Sequence, residues 1–339
     1  MRNVPGKFFE RKRSDAEIFS FAWTDFDITT HPFYKEADII NLHWIAGFLD
    51  YKSFFAKNTK PVVWTLHDQN AFTGCCHYSM SCDKFIKICD YCPLLNNSNV
   101  YKSHIVKIRA LAKFNNLTIV SPSNWLKSIS QKSSLFNRFP HHHIPYGLDM
   151  SVYKSFNKVF AREVFGIPED KKVLLFVCDD LNNSRKGFAL LLEALNKINN
   201  KDVLFYAVGY SGKDIPNVNI LGRINNDRLM ALLYCAADAF VLPSLEDNLP
   251  NTMLESVSCG TPVIAFPNGG ITEVIIHGNN GILAQNNTSK ALAEAIQVFL
   301  NGDVLFDRDS IRASAIQLFA PEIQGKKYIE LYKSILQSE

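Results

Sequence analysis

Short apolar runs alternate along this chain with stretches whose apolar residues return at helical spacing. In the first half, ADIINLHWI (37–45), PVVWTLHD (61–68), LTIVSPS (117–123) and HHHIPYGLD (141–149) each read as a strand leading into a loop or turn, with Gly147 as a breaker. NWLKSISQKSSLF (124–136) has a helical pattern between the last two. Segment 150–170 is polar and loosely patterned and reads as an inter-domain linker. The second half repeats the alternation. KVLLFVCDD (172–180), DVLFYAVG (202–209), NVNILGR (217–223), AFVLPS (239–244), PVIAF (262–266) and GILA (281–284) are predicted strands, while KGFALLLEALNKI (186–198) and DRLMALLYCAA (227–237) are predicted helices.

Near-continuous apolar strands alternating with amphipathic helices imply parallel sheets covered on both faces. Two such sets in tandem imply an α/β chain of two Rossmann-like domains, 1–150 and 151–320, followed by a C-terminal helix at 321–339 that is expected to pack back on the first domain. Ligands of these folds bind beyond the carboxyl ends of the strands. Asp68, Ser121, Asp179, Ser244 and Asp247 all fall at such ends. Residues 1–35 contain no strand, Gly-rich turn and helix in succession, so the first domain reads as incomplete and N-terminally short.

Composition narrows the function classes. At 339 residues, 47% hydrophobic and 20% charged, the chain is globular and long enough for two domains. A net charge of +3 is too small to argue for nucleic acid. No apolar stretch reaches membrane-spanning length, and the N-terminus has charge without the apolar core of a secretory signal. The expected location is therefore the cytoplasm, where the eight cysteines are not expected to form structural disulfides.

The densest chemistry lies in PSLEDNLPNTMLESVSCGTPVIAFPNGGITEVIIHGNNG (243–281). Asp247 and Glu255 stand there with seven residues between them, across a loop-to-helix junction. A carboxylate accepts two hydroxyl hydrogen bonds in a fixed geometry, as a sugar or a ribose requires. Arg185-Lys186-Gly187 opens a predicted helix, so two cations add to the positive end of a helix dipole and suit a diphosphate. Gly222-Arg223 follows a short strand, and His67-Asp68 follows another, while His43 is assigned to packing. Cys76, Cys82, Cys89 and Cys92 crowd into an insertion at 74–93, the last three spaced C-x6-C-x2-C, and suggest a closed structural zinc site with Cys75 and His77 as adjacent substitutes. Segment 101–116 reads as a basic amphipathic helix bearing Lys102, Lys107, Arg109 and Lys113, which suits either an anionic lipid surface or a solvated face. His141, His142 and His143 alternate faces of a strand and cannot share a ligand.

The 243–281 run resembles the donor-site signature of the retaining glycosyltransferases of family 4, a GT-B group with an acid-x7-acid motif. The stretch WTLHDQNAFTGCCHY with its later cysteines, preceded by ADIINLHW, is similar to a subgroup from bacterial capsule, colanic-acid and O-antigen loci. The resemblance covers about residues 36–336 and implies two Rossmann-like domains with a cleft between them, the first on the acceptor side. It gives the donor diphosphate to Lys186, the ribose hydroxyls to Glu255, and the transferred sugar to Asp247 and the backbone of Asn248 and Leu249. It places Gly222-Arg223 near the base and His67 at the sugar or the acceptor. Asp247, His67 and Lys186 are the expected catalytic set.

Two departures stand out. The first acid is usually Glu, and Glu246 is one residue out of register; the family often has an Arg six residues before the Lys, where this chain has Asp180, leaving Arg185 as the substitute. The implied reaction takes a sugar from a UDP- or GDP-sugar to a saccharide or lipid-linked acceptor with retention, in surface polysaccharide synthesis, without a metal at the diphosphate or a protein nucleophile. Contact with the cytoplasmic face of the inner membrane would follow from a lipid-linked acceptor. Two alternatives remain: a GT-B sugar-nucleotide epimerase, against which the 243–281 run argues, and a sugar-nucleotide binder without turnover, favoured by the short first domain.

Overall fold

The computed structural model describes residues 9–11, 18–95, 97–198, 202–212 and 214–337. The chain divides into two compact units, Met1–Pro145 with Lys326–Glu339, and Tyr146–Gly325. Each is built on a parallel sheet, as the alternating pattern requires.

In the first unit β1 (Ile40–Leu42), β2 (Val62–Thr65), β3 (Leu117–Ser121) and β4 (His141–His143) lie side by side in chain order. Leu42, Trp64, Ile119 and His141 stand in one register row across the sheet. Every residue of β2 is buried, which is why its sequence shows no alternation. Trp64 packs against Tyr51, Phe55 and Phe136 on one side. On the other, Val63, Val120 and Ile144 meet Leu331 of the C-terminal helix Pro321–Leu336. That helix also bonds the sheet directly, Tyr328 Oη to Thr65 Oγ1 at 2.7 Å and Asn41 Nδ2 to Tyr332 Oη at 2.5 Å. Of the segment read as an incomplete opening, residues 1–8 and 12–17 lie outside the described residues. Ile18–Ser20 pairs with Phe9–Arg11, and Ser20 N–H donates to Cys75 O at 2.9 Å.

Helix α1 (Asn99–Leu111) corrects the reading of a basic outer face. Lys107 is fully buried; its ammonium donates to Thr73 O at 2.9 Å and to Asn70 O and lies over the Tyr51 ring. Burial pushes its pKa down to about 8. His104 is buried beside it and accepts from Cys89 N–H at 2.8 Å. Lys102, Arg109 and Lys113 alone among the four cations are exposed.

The zinc expectation finds no support in the structure. Among the described residues no group of three or more His, Cys, Asp or Glu stands where it could hold a metal ion. The Thr73 hydroxyl donates to the Cys76 carbonyl at 2.6 Å, while the Cys92 sulfur stands beside the Cys75 thiol and the Cys89 sulfur beside the Gly74 backbone. Cys82 stands apart in being half-exposed, while the other three are buried. His77, offered as a substitute ligand, is bonded to Asp68 and Ser20.

The second unit holds β5 (Lys172–Asp180), β6 (Val203–Tyr210), β7 (Asn219–Ile220), β8 (Ala239–Leu242), β9 (Val263–Ala265) and β10 (Gly281–Leu283) in the order β10-β9-β8-β5-β6-β7, all parallel. Successive strands run one way from β5 to β7 and the other way from β8 to β10. The chain therefore splays apart at the carboxyl ends of β5 and β8, the place where open α/β sheets bind ligands. Helices α2 (Phe188–Leu195), α3 (Asp227–Ala236) and α4 (Asn251–Ser258) follow β5, β7 and β8.

The segment read as a linker is part of this unit. Lys158–Phe165 is a helix, capped by Asn157 and ended by Gly166 in the left-handed conformation. Its Arg162 turns inward, pairs with Asp238 at 2.8 Å and donates to the carbonyls of Ala236, Pro168 and Glu169. A polar residue that is fully bonded can be buried at little cost, so the polar pattern misled.

Candidate functional site

Two loops meet at the switch point of the second sheet. After β5, Ser184–Lys186 forms a single 3₁₀ turn, and Gly187 in the left-handed conformation starts α2. After β8, residues 243–250 lead into α4. The loops are sewn together by Leu245 N–H to Arg185 O at 2.8 Å, and a Cβ on Gly187 would come within 1.9 Å of Pro243 O. A third loop closes over them. Asn268 Nδ2 donates to Ser244 O at 2.9 Å, and Gly270 N–H to Asp247 O at 3.3 Å. Gly269, at φ +57, lies so close that a Cβ would stand 1.8 Å from Asp247 O. Glycines here let backbone meet backbone.

Asp247 is buried between two cations, with Lys186 Nζ at 2.7 Å and Arg185 NH1 at 3.5 Å. Burial raises its pKa, but Lys186 and Arg185 outweigh burial and hold the carboxyl below the usual carboxylate value. Arg185 also donates to Glu246 O at 3.0 Å, so the acid in contact with both cations is the one in register with the motif. Lys186 is partly open to solvent, with 24% of its side chain exposed, whereas Arg185 is buried. Asn248 and Leu249 are buried, and Asn248 N–H donates to Asp247 Oδ1 at 3.1 Å.

Glu255 sits one turn into α4, half-buried. Tyr234 Oη donates to Glu255 Oε2 at 2.9 Å, and the Tyr153 hydroxyl lies near this carboxylate. Burial raises the Glu255 pKa above its ordinary 4.5, against the pull of the two hydroxyls. Sequence reasoning missed both tyrosines. Tyr234 lies on the apolar face of α3, where its spacing reads as core, and Tyr153 lies in the supposed linker.

At the end of the β7 segment, Gly222 has φ +67 and its carbonyl accepts from Gly209 N–H at 2.8 Å. Arg223 is exposed, with Nε to Asp179 O at 3.3 Å and its guanidinium over the Tyr210 ring. Asp180 occupies the place of the missing Arg and accepts from Asn182 N–H at 3.0 Å.

The first unit gathers a separate group at the ends of β1 and β2, around a small cavity lined by His43, Trp44, His67, Asp68 and Asn70. His43 Nδ1 and His67 Nε2 are 3.0 Å apart, so His43 is exposed and bonded rather than packed. Partial loss of solvent around the rings lowers the pKa of both. Asp68 is held by His77 at 2.6 Å, by Asn70 N–H at 2.8 Å and by Trp44 Nε1 at 3.2 Å; His77 in turn bonds Ser20 Oγ at 2.8 Å. Burial raises the Asp68 pKa, and its partners, led by His77, pull it below the usual carboxylate value. Trp44, half exposed, offers a flat apolar face beside these polar groups.

The two parallel α/β units agree with the GT-B expectation, and comparison with known proteins supports it. Residues 171–302 match the family model described as Glycosyl transferases group 1. The chain is 29% identical over 170 residues to a D-inositol 3-phosphate glycosyltransferase of Mycolicibacterium smegmatis, covering 46% of this chain and 38% of that protein. It is 27% identical over 231 residues to the putative colanic acid biosynthesis glycosyl transferase WcaC of Escherichia coli, covering 65% of this chain and 56% of that protein. The chain thus spans less than two thirds of the length of these relatives. Anabaena Alr3699/HepE, solved with UDP and glucose, superposes with a TM-score of 0.65 at 20% identity, over 89% of this chain and 79% of that one, a likeness of fold. No helix among the described residues is long and apolar enough to cross a membrane. The matches support a relationship to the group 1 glycosyltransferases, and the family model lies within the second unit.

Proposed function

We propose that this chain is a glycosyltransferase that moves a sugar from a UDP- or GDP-sugar to a hydroxyl of a saccharide acceptor, with retention of configuration. The observation that carries this reading is the assembly of Asp247, Lys186 and Arg185 at the switch point of the second sheet, with Glu255 on the helix that follows. Lys186, partly open at the start of α2, stabilises the negative charge that grows on the departing diphosphate. Asp247 orients Lys186 and accepts from sugar hydroxyls. Glu255 accepts from the ribose hydroxyls, and the Gly222-Arg223 turn stands at the base. His67, just beyond β2, serves the sugar or the acceptor.

The bond from the anomeric carbon to the diphosphate oxygen breaks, and its electron pair leaves on that oxygen. The acceptor oxygen then bonds to the same face of the anomeric carbon, and its proton passes to the departing phosphate. No side chain is needed as a nucleophile. The Escherichia coli relative named for colanic acid biosynthesis supports a surface polysaccharide, free or lipid-linked, as the acceptor.

A pH dependence tests the ribose assignment. Only ionised Glu255 accepts two hydroxyls, and its pKa is raised above 4.5. Nucleotide affinity is therefore expected to fall, as pH is lowered, at a higher pH than an ordinary glutamate would give. Glu255→Gln should weaken UDP or GDP about ten-fold and flatten this acid limb. Calorimetric titration between pH 4 and 8 checks both; an unchanged acid limb in the variant would remove Glu255 from the nucleotide.

A further inference from the structure

The Glu255 carboxylate is fixed from the protein side before any ligand arrives. Tyr234, completely buried, donates to Oε2 at 2.9 Å. Its own backbone is pinned, since its carbonyl accepts from Thr261 Oγ1 at 2.7 Å, and its ring stands edge-on to Phe240. Tyr153, 7% exposed, lies near the same carboxylate on the segment that enters the unit, and its carbonyl is held by Arg312 at 2.8 Å. The Tyr153 hydroxyl also reaches Asp227 at the start of α3 and can donate to only one of the two acids at a time. An ionised carboxylate has about four acceptor positions. The Tyr234 hydroxyl fills one of them and the Tyr153 hydroxyl stands beside another, which leaves at least the two that a vicinal diol needs.

We propose that Tyr153 and Tyr234 are positioning residues that aim the free lone pairs of Glu255 at a ribose diol and thereby set preference for ribonucleotide over deoxyribonucleotide donors. This rests on the reading of Glu255 as the ribose acid. The tyrosines touch no substrate; they act through the carboxylate. Losing their hydroxyls frees the side chain to rotate, so the two hydrogen bonds to the diol are no longer formed together. A ligand lacking one ribose hydroxyl has less to lose.

The test is calorimetry of the full chain with UDP and GDP and with their 2′-deoxy and 3′-deoxy forms, comparing wild type, Glu255→Gln, Tyr153→Phe, Tyr234→Phe and the double tyrosine variant. Wild type is expected to prefer the ribonucleotide about ten-fold, and Glu255→Gln to lose that preference. The double variant should bind the ribonucleotide about ten-fold more weakly with deoxynucleotide affinity unchanged, so the ratio collapses. Equal weakening of ribo- and deoxynucleotides, or an unchanged ratio, would show that the tyrosines only support the fold, with the role of Glu255 intact. No preference in wild type, or no binding of either nucleotide, would remove the role of Glu255 itself and leave the tyrosines nothing to position. Should Tyr234→Phe fail to fold, Tyr153→Phe gives the same ratio from the edge of the site.

Discussion

Replacing Lys186 by Met is expected to lower kcat for nucleotide-sugar turnover about 10²–10³-fold, the usual cost of deleting one preorganised group that stabilises charge in the transition state. The ammonium sits 2.7 Å from Asp247 and is partly open to solvent, so it can follow charge onto a departing phosphate. Arg185 remains 3.5 Å from Asp247 in the variant, which keeps the buried acid paired and the fold intact. The decisive comparison is kcat against KM. A fall in kcat at similar KM marks an interaction made in the transition state, whereas a raised KM at unchanged kcat marks uniform binding. The second outcome would move Lys186 from catalysis to simple donor retention.

Gly269→Ala is expected to cost about 3 kcal/mol or more of stability and to abolish nucleotide binding. The residue has φ +57, and a methyl group there would stand 1.8 Å from the Asp247 carbonyl. The loop must move, and Asp247 with it. Gly222→Ala is the control. Its φ is +67, but no atom lies within 4 Å of the added carbon, so the expected cost is only the backbone term of about 1–2 kcal/mol. Denaturant melts of both variants measure the difference. Equal losses would mean that backbone conformation alone, and not the seam over Asp247, makes Gly269 necessary.

Much of the second unit was legible in the sequence. KVLLFVCDD matches β5 residue for residue, because a strand buried on both faces must be apolar throughout its middle. Asp247, Lys186 and Arg185 lie in loops between such strands, and their convergence follows from the parallel order. Residues that break the polarity pattern for local reasons were not legible. Arg162 falls in the segment read as a linker and Lys107 in the helix read as outward-facing, because periodicity records residue type and not partners, yet carbonyls meet both inside the protein. Tyr234 reads as core for the converse reason. Its ring is core, while its hydroxyl serves an acid 21 positions away. The cysteine spacing suggested a metal, but spacing in a loop fixes neither the direction nor the convergence of the sulfurs, and here the Cys92 sulfur stands beside the Cys75 thiol and the Cys89 sulfur beside the Gly74 backbone. In the first unit, the bonds linking Asp68, His77 and Ser20 depend on Ile18–Ser20 lying against the cysteine loop, a contact that no local pattern announces.

The most direct measurement is nucleotide release from a panel of UDP- and GDP-sugars by purified wild-type protein, with water or added saccharide as acceptor and Lys186→Met as the control. The expected result is release from at least one donor, lost in the variant. Tight binding of a nucleotide sugar with no release of nucleotide under any of these conditions would contradict glycosyl transfer and leave a sugar-nucleotide binder.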